Sequence, residues 1–585
     1  MLEERNVEVI LKKKGAEIVV DALLQEKVDV IFGYPGGVVI PIFDVLYDTK
    51  GLEVVLTRHE QAAAHAADGY ARVTGKVGVC LATSGPGATN LVTGIATAYL
   101  DSIPIVAITG QVATPILGTD AFQEADIVGI TRPITKHNFL VKDVQELPSM
   151  LKQAFHIART GRPGPVLIDI PKDVSLGVLS NYEYPKDVAI RSYKPNVVGH
   201  VRQIRKAAEA IKSAKEPLIY AGGGVILSDA HKELLELAEK TSIPVTTTLM
   251  GLGGFPGDHP LFIGMPGMHG SKAANYALQQ TDLIISVGAR FDDRVTGMVD
   301  KFAPNARIIH MDIDPAAISK IIKVDIPVVG DAKNILAALN KLVAARKPDE
   351  WNKQIEKWKG KRMFSYTSSK AEIKPQAVIE AVYKETKGNA IITTEVGQNQ
   401  MWAAQFYKFN KPRTLVTSGG LGTMGFGMPA AMGAAMANPG VPVIDIAGDG
   451  SIQMNIQELA TISLNDIPVK IVILNNGYLG MVRQWQELFF DKRYSSTCLR
   501  KGSGRCKKCV GPQKCKLAYI PDFIALAESY DVPAFRAEKP EEMIPVLRKG
   551  MKIKGPALME FVVSEEENVF PMVPAGKPID HILEG

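Results

Sequence analysis

Short runs of β-branched and aliphatic residues alternate with Ala-rich helical stretches along this chain, and that alternation leaves few folds open. The run 77–82 is apolar throughout and 469–474 is broken only by Lys470, so as strands they need cover on both faces, and the helical stretches between them supply it. Strand candidates fall at 29–32, 53–56, 77–82, 105–109 and 166–170; then at 217–221, 245–248, 283–287, 307–311 and 327–329; then at 390–394, 443–446, 469–474 and 557–561. Strand–helix alternation of this kind gives parallel sheets with helices on both faces. The reading is an α/β fold of three tandem doubly wound parallel-sheet domains, over residues 1–180, 195–348 and 372–565. A polar, Pro-containing stretch at 181–195 reads as a linker. A charged helical segment around 351–361 bridges the second block to the third.

The 585 residues are 46% hydrophobic and 22% charged, with a formal net charge of +5. Those values suit globular domains with sizeable cores. No Lys/Arg-rich run dominates a block, so nucleic acid is an unexpected partner. No apolar run reaches the roughly 20 residues that span a bilayer. The first residues, MLEERNVEVILKKKGAE, lack the apolar core of a signal peptide, so a cytoplasmic location with no membrane contact is expected. Of the five cysteines, Cys80 stands alone in an apolar run and reads as core.

The first and third blocks look alike, each setting a Gly-rich loop just after a buried strand, which suggests a duplication. In the third block, Gly448-Asp449-Gly450-Ser451 follows one strand and Asn475-Asn476 the next, with a helix bearing Ile456, Leu459 and Ile462 between them. A parallel βαβ unit brings Asp449 and Asn476, 27 residues apart, to one sheet edge. A carboxylate and an amide oxygen beside a Gly-rich turn suit Mg²⁺, a hard ion that often shares its shell with phosphates. Backbone N–H groups at Gly450 and Ser451 suit the phosphates themselves. Taken alone, Gly-Asp-Gly also fits a β-turn with an Asx bond.

The pair Asp449…Asn476 resembles the GDG…NN motif of thiamine-diphosphate enzymes. Six further segments extend the resemblance over nearly the whole chain: Gly33-Tyr34-Pro35-Gly36-Gly37, Arg58-His59-Glu60-Gln61-Ala62-Ala63, Ser84-Gly85-Pro86-Gly87-Ala88-Thr89-Asn90, Arg290-Phe291-Asp292-Asp293-Arg294, Gly422-Thr423-Met424-Gly425 and Gly480-Met481-Val482-Arg483-Gln484-Trp485-Gln486. In this order they are similar to the acetolactate (acetohydroxyacid) synthases. The resemblance implies thiamine diphosphate, Mg²⁺ and FAD as cofactors. The first domain would bind the pyrimidine and the third the diphosphate, and the active site would lie between subunits of a homodimer or tetramer. A small regulatory subunit is a further implied partner.

The same resemblance assigns roles. Asp449, Asn476 and the Tyr478 carbonyl would hold Mg²⁺. Glu60 would bond the pyrimidine N1′ from an apolar pocket with small neighbours at 62–67; without the motif it reads as a carboxylate at a helix N-terminus. Pro86, Asn90, Gln398, Gly422, Gly450 and Ser451 would line the cofactor, and Met424 would prop its bent shape, although core packing is the commoner fate of Met. Gly37, Phe122, Gln123 and Lys136 would border the substrate. Arg294 would grip the carboxylate of the second 2-keto acid; it also fits a surface pair with Asp292 or Asp293. Trp485 would favour 2-ketobutyrate over pyruvate through its extra methyl group, a contact worth roughly 1–3 kcal/mol. Arg159, Gly222, Gly223, Thr246, Met268, Arg290, Asp312 and Asp331 would contact FAD, although the middle block has no GxGxxG fingerprint. The implied reaction decarboxylates pyruvate and passes the two-carbon unit to pyruvate or 2-ketobutyrate. A pyruvate oxidase, in which FAD does redox work, is the alternative.

Residues 497–517 depart from the family. They carry Cys498, Cys506, Cys509 and Cys515 at the spacing C-x₇-C-x₂-C-x₅-C. Four thiols so placed suit Zn²⁺ or an iron–sulfur cluster; a basic loop with free or paired thiols is the plainer reading.

Overall fold

A computed structural model describes residues 12–505, 515 and 517–584. Its strands form three wholly parallel sheets and one short antiparallel pair, Lys13–Lys14 with Val178–Leu179. The first holds β1 (Val30–Tyr34), β2 (Glu53–Leu56), β3 (Gly78–Ala82), β4 (Ile105–Gln111), β5 (His137–Leu140) and β6 (Val166–Pro171), in the order β2-β1-β3-β4-β6-β5. The second holds β7 (Pro217–Ala221), β8 (Val245–Thr247), β9 (Leu283–Val287), β10 (Arg307–Asp312) and β11 (Ile326–Val329), in the order β8-β7-β9-β10-β11. The third holds β12 (Ile391–Thr394), β13 (Leu415–Val416), β14 (Val443–Gly448), β15 (Val469–Asn475), β16 (Ala534–Ala537) and β17 (Ala557–Val562), in the order β13-β12-β14-β15-β17-β16. Counted from its own first strand, the third sheet repeats the 2-1-3-4-6-5 order of the first. The duplication suggested by the two Gly-rich loops thus has a topological counterpart.

Two compact units divide the chain, Met1–Lys194 and Pro195–Gly585. In the first, the alanine run of the helix Glu60–Thr74 is buried, and its use is close approach. Ala64 packs so tightly that a Cβ added at Gly94 would lie 2.3 Å from its own, and the Ala67 carbonyl leaves no room for a Cβ at Gly78. Small residues let this helix lie directly on β3 and on the helix Val92–Asp101. Cys80 is fully buried in β3, and burial pushes its thiol up to about 12.

In the second unit the central and C-terminal sheets share one continuous apolar core, from Ile204 to Val569. The helix Glu350–Lys359 bridges the two sheets in sequence. Its Trp351 is buried and donates its indole N–H to the Pro217 carbonyl at 3.0 Å. The crossover between β14 and β15 differs from the single helix expected. It is a 3₁₀ turn, Ile452–Glu458, kinked at Asn455, followed by the short helix Leu459–Leu464. The Asn455 side chain leaves the helical register to donate to the Gly425 carbonyl at 2.6 Å. Among the described residues no helix is long and apolar enough to cross a membrane.

Candidate active site

Open parallel sheets bind ligands beyond their carboxyl ends, where the strand order reverses. The first sheet reverses between β1 and β3, and the third between β12 and β14. The candidate residues gather at these two points.

In the third sheet β14 delivers Asp449, 2% exposed, and β15 delivers Asn476, 6% exposed. The Asp449 carboxylate accepts from the Gly477 N–H at 3.0 Å. Asn476 accepts from the Tyr478 N–H at 3.1 Å and donates to Gln398 Oε1 at 3.1 Å. Gln398 opens the helix that follows β12, so three strand ends meet here. A Cβ at Gly480 would strike Gln398 and Asn476, which is why the turn after Tyr478 requires glycine. Burial pushes Asp449 up to about 7 against the hydrogen bonds it accepts. A divalent cation would supply the opposite charge that such a carboxylate lacks. Asp449, Asn476 and the Tyr478 carbonyl are all hard oxygen donors, and that set fits Mg²⁺.

A second carboxylate lies deeper. Glu395, fully buried after β12, accepts from the N–H groups of Gly425 (2.7 Å) and Met428 (3.2 Å). It thereby holds the turn that carries Gly422 and Met424 at the mouth of the helix Gly427–Ala437. Met424 is half-buried. Neighbouring Asp445 is also fully buried; burial and the charge of Glu395 raise it well above the carboxylate range. Nothing in the motif set had pointed to Glu395.

In the first sheet, Glu60 begins its helix beside the N-cap His59. Within the single chain Glu60 is half-buried, and Asn90 donates to its carboxylate at 2.9 Å. The small neighbours differ from those expected. Gly87 and Thr83 make the room, since a Cβ at Gly87 would lie 3.3 Å from Glu60 Oε1 and 2.8 Å from Thr83; the alanines at 62–67 serve helix packing instead. Gln123, at φ 60°, packs its backbone on Gly85. Pro86 and Gly37 are exposed beside this group.

Two residues expected at a ligand are engaged elsewhere. The Lys136 ammonium bonds the carbonyls of Ile157 and Thr160 and the Tyr193 hydroxyl. The Arg159 guanidinium pairs with Glu26 at 2.7 Å. Arg294 is 60% exposed, with Asp293 at 3.6 Å and the Met268 sulfur at 4.0 Å, an arrangement that suits the surface-pair reading as well as a ligand-facing one. Trp485 is half-buried on the helix Gly480–Phe489, its ring 5.5 Å from that of Phe489.

The central order, 2-1-3-4-5 from its own first strand, reverses between β7 and β9. Gly222 and Gly223 follow β7, and Arg290 follows β9. Gly222 and Gly224 stack against Gly288, where added Cβ atoms would lie 2.4 and 2.7 Å from it. Thr246 at the end of β8 is buried and donates to the Gly264 carbonyl at 2.7 Å. Asp312 ends β10, and Asp331 caps the next helix. Bare backbone at a switch point fits a dinucleotide, and it needed no GxGxxG to form.

Cys506 and Cys509 lie outside the described residues, and with them the proposed metal cluster. Cys498 and Cys515 are half-buried and pair with no other described cysteine. The stem of this run is docked on the metal loop: Leu499 N–H donates to Gly477 O at 3.0 Å, and Leu479 N–H to Thr497 O at 2.8 Å.

Three family models match the chain in order: the thiamine pyrophosphate enzyme N-terminal TPP binding domain at 13–130, the central domain at 204–339 and the C-terminal TPP binding domain at 395–561. Full-length relatives agree. The acetolactate synthase large subunit of Corynebacterium glutamicum is 51% identical over 96% of this chain and 88% of its own. The acetolactate synthase isozyme 3 large subunit of Escherichia coli is 47% identical over 97% of this chain and 98% of its own. The probable acetolactate synthase large subunit of Methanocaldococcus jannaschii is 51% identical over 98% and 95%. On this evidence the chain belongs to the acetolactate synthase large-subunit family of thiamine-diphosphate-dependent enzymes.

Proposed function

We propose that the protein is the catalytic subunit of an acetolactate synthase, which decarboxylates pyruvate and transfers the two-carbon unit to pyruvate or 2-ketobutyrate. The observation that carries the reading is the matched pair of switch points. Glu60 with Asn90 stands at one, and Asp449 with Asn476 at the other, in sheets of the same strand order. The relatives' names supply the reaction.

Thiamine diphosphate, when bound, supplies a carbon nucleophile and an electron sink. The chain's own residues do the rest. Glu60 holds a proton at the pyrimidine N1′, and Asn90 fixes the carboxyl group that carries it. Asp449, Asn476 and the Tyr478 carbonyl would hold Mg²⁺; Gln398 orients Asn476, and Gly450 and Ser451 would offer backbone N–H groups to the phosphates. Met424, on the turn that Glu395 fixes, would pack against the bound cofactor. Arg294 binds the second substrate's carboxylate by charge and two N–H donors, and Trp485 contacts its alkyl end. The central glycine turns with Thr246, Met268, Arg290, Asp312 and Asp331 would hold FAD, in a structural role. Lys136 and Arg159 reach a ligand only by giving up the partners they hold here. The working assembly is a homodimer or tetramer in the cytoplasm, with a small regulatory subunit.

The test is a competition assay with thiamine diphosphate, Mg²⁺, FAD, pyruvate and 2-ketobutyrate. Acetolactate with excess acetohydroxybutyrate is the expected outcome. Acetate formed with flavin reduction would replace this reading by an oxidase.

A further inference from the structure

Gln484 sits beside Trp485 and has no part in the mechanism above, yet every polar atom of its side chain is engaged. It is fully buried. Its oxygen accepts from the Val569 N–H at 2.9 Å and from Gln398 Nε2 at 2.9 Å. Its nitrogen donates to the Val569 carbonyl at 3.1 Å, with the Met572 sulfur at 3.5 Å. The two bonds to Val569 imitate a backbone pairing, so the chain beyond β17 is gripped by one side chain.

That segment continues to the loop bearing the other substrate residue. Val573 N–H donates to the Met268 carbonyl at 2.7 Å, and Met268 N–H to the Arg294 carbonyl at 2.8 Å. Further on, Met298 N–H donates to the Lys577 carbonyl at 3.1 Å. One path therefore runs by hydrogen bonds from Gln398 through Gln484 to Val569, along the chain to Val573, and by hydrogen bonds again through Met268 to Arg294. Its side-chain links are buried and its other links are backbone, so it is rigid. Within the helix, Gln484 and Arg483 are the buried side chains. They fix the helix's rotation, and with it the direction of Trp485.

We propose that Gln484 is a positioning residue for the choice of second substrate: it locks the Trp485 helix and the Arg294 loop to one strap, residues 567–577, so that the alkyl and carboxylate ends of a 2-keto acid meet contacts at a fixed spacing. The inference rests on the acetolactate synthase reading. A loose strap blurs that spacing and erodes discrimination between substrates one methylene apart, which is worth about 10–200-fold in a well-formed pocket.

The test uses the full-length protein with its cofactors. Gln484→Met keeps the length and removes the amide. It is expected to cut the acetohydroxybutyrate-to-acetolactate ratio by roughly tenfold and to raise KM for 2-ketobutyrate, while kcat with pyruvate alone changes less than twofold. Trp485→Leu lowers the same ratio, and the double variant lies no lower than Trp485→Leu alone, because contacting residues in one path are not additive. Val573→Pro, which deletes the N–H to Met268 at the far end of the path, shifts the ratio the same way and decides the matter where Gln484→Met does not fold. A lower melting temperature with a wild-type ratio in Gln484→Met overturns the proposal, as does an additive double variant. A wild-type enzyme that forms no acetohydroxy acid overturns the parent reading instead.

Discussion

Glu60 and Asn90 come from different helices and meet through one hydrogen bond at 2.9 Å. The amide has two consequences. It orients the carboxyl group, and as a neutral donor it does so without adding charge beside a group that must exchange a proton. Glu60→Gln keeps the shape and removes the proton exchange, so the rate should fall by at least about 10²-fold, the scale of a lost acid–base group, with thiamine diphosphate binding little changed. A near-normal kcat would refute the assignment. Asn90→Ala leaves the carboxyl group in place but unoriented, and should cost less than Glu60→Gln in the same assay.

The turn 422–428 is held by a buried carboxylate, and this gives the stability of the element a pH dependence. Burial raises Glu395 from 4.5 to about 7, and backbone N–H groups of Gly425 and Met428 oppose the rise. Burial and the charge of Glu395 raise Asp445 beside it well above the ordinary carboxylate range. A carboxyl group whose folded value is raised favours the folded state fully below its unfolded value. That advantage is lost as pH climbs through the folded value. Glu395 should therefore make stability fall between about pH 4.5 and 7, with a slope of up to ~1.4 kcal/mol per pH unit. Glu395→Gln should flatten that segment of the melting curve against pH; an unchanged slope would show that another group titrates there. The case also marks what the sequence hides. Buried strands such as β3, β9 and β15 were legible because they are apolar along most of their length, with only Ser286 in β9 and Lys470 and Asn475 in β15 interrupting the run. Of the strands in the three parallel sheets, those that escaped, β5, β13 and β16, all lie at sheet edges; β5 and β16 are mostly half-buried and of mixed polarity, which no apolar run announces. Asp449, Asn476 and Glu60 were legible because motif spacing fixes them. Glu395 and the bonding of Gln484 were not, because their meaning lies in partners far away in sequence.

The shared 2-1-3-4-6-5 order gives the chain two equivalent switch points, one carrying Glu60, proposed to handle the proton, and the other Asp449, proposed to bind the metal. On the proposed reading, the first would take the pyrimidine of thiamine diphosphate and the second its diphosphate. If the site forms between two chains related by a two-fold axis, each site takes Glu60 from one chain and Asp449 from the other. Two inactive variants then complement each other. In a heterodimer of Glu60→Gln and Asp449→Asn chains, one site inherits both substitutions and the other neither. Random reassortment makes about half of the dimers mixed, with one intact site in two, so about a quarter of wild-type activity should return when the variants are co-expressed. Each variant alone stays near background. Were Glu60 and Asp449 to serve the same site from one chain, no mixture would contain an intact site and no activity would return. Measuring the co-expressed mixture against each parent therefore separates a site shared between chains from one contained within a chain.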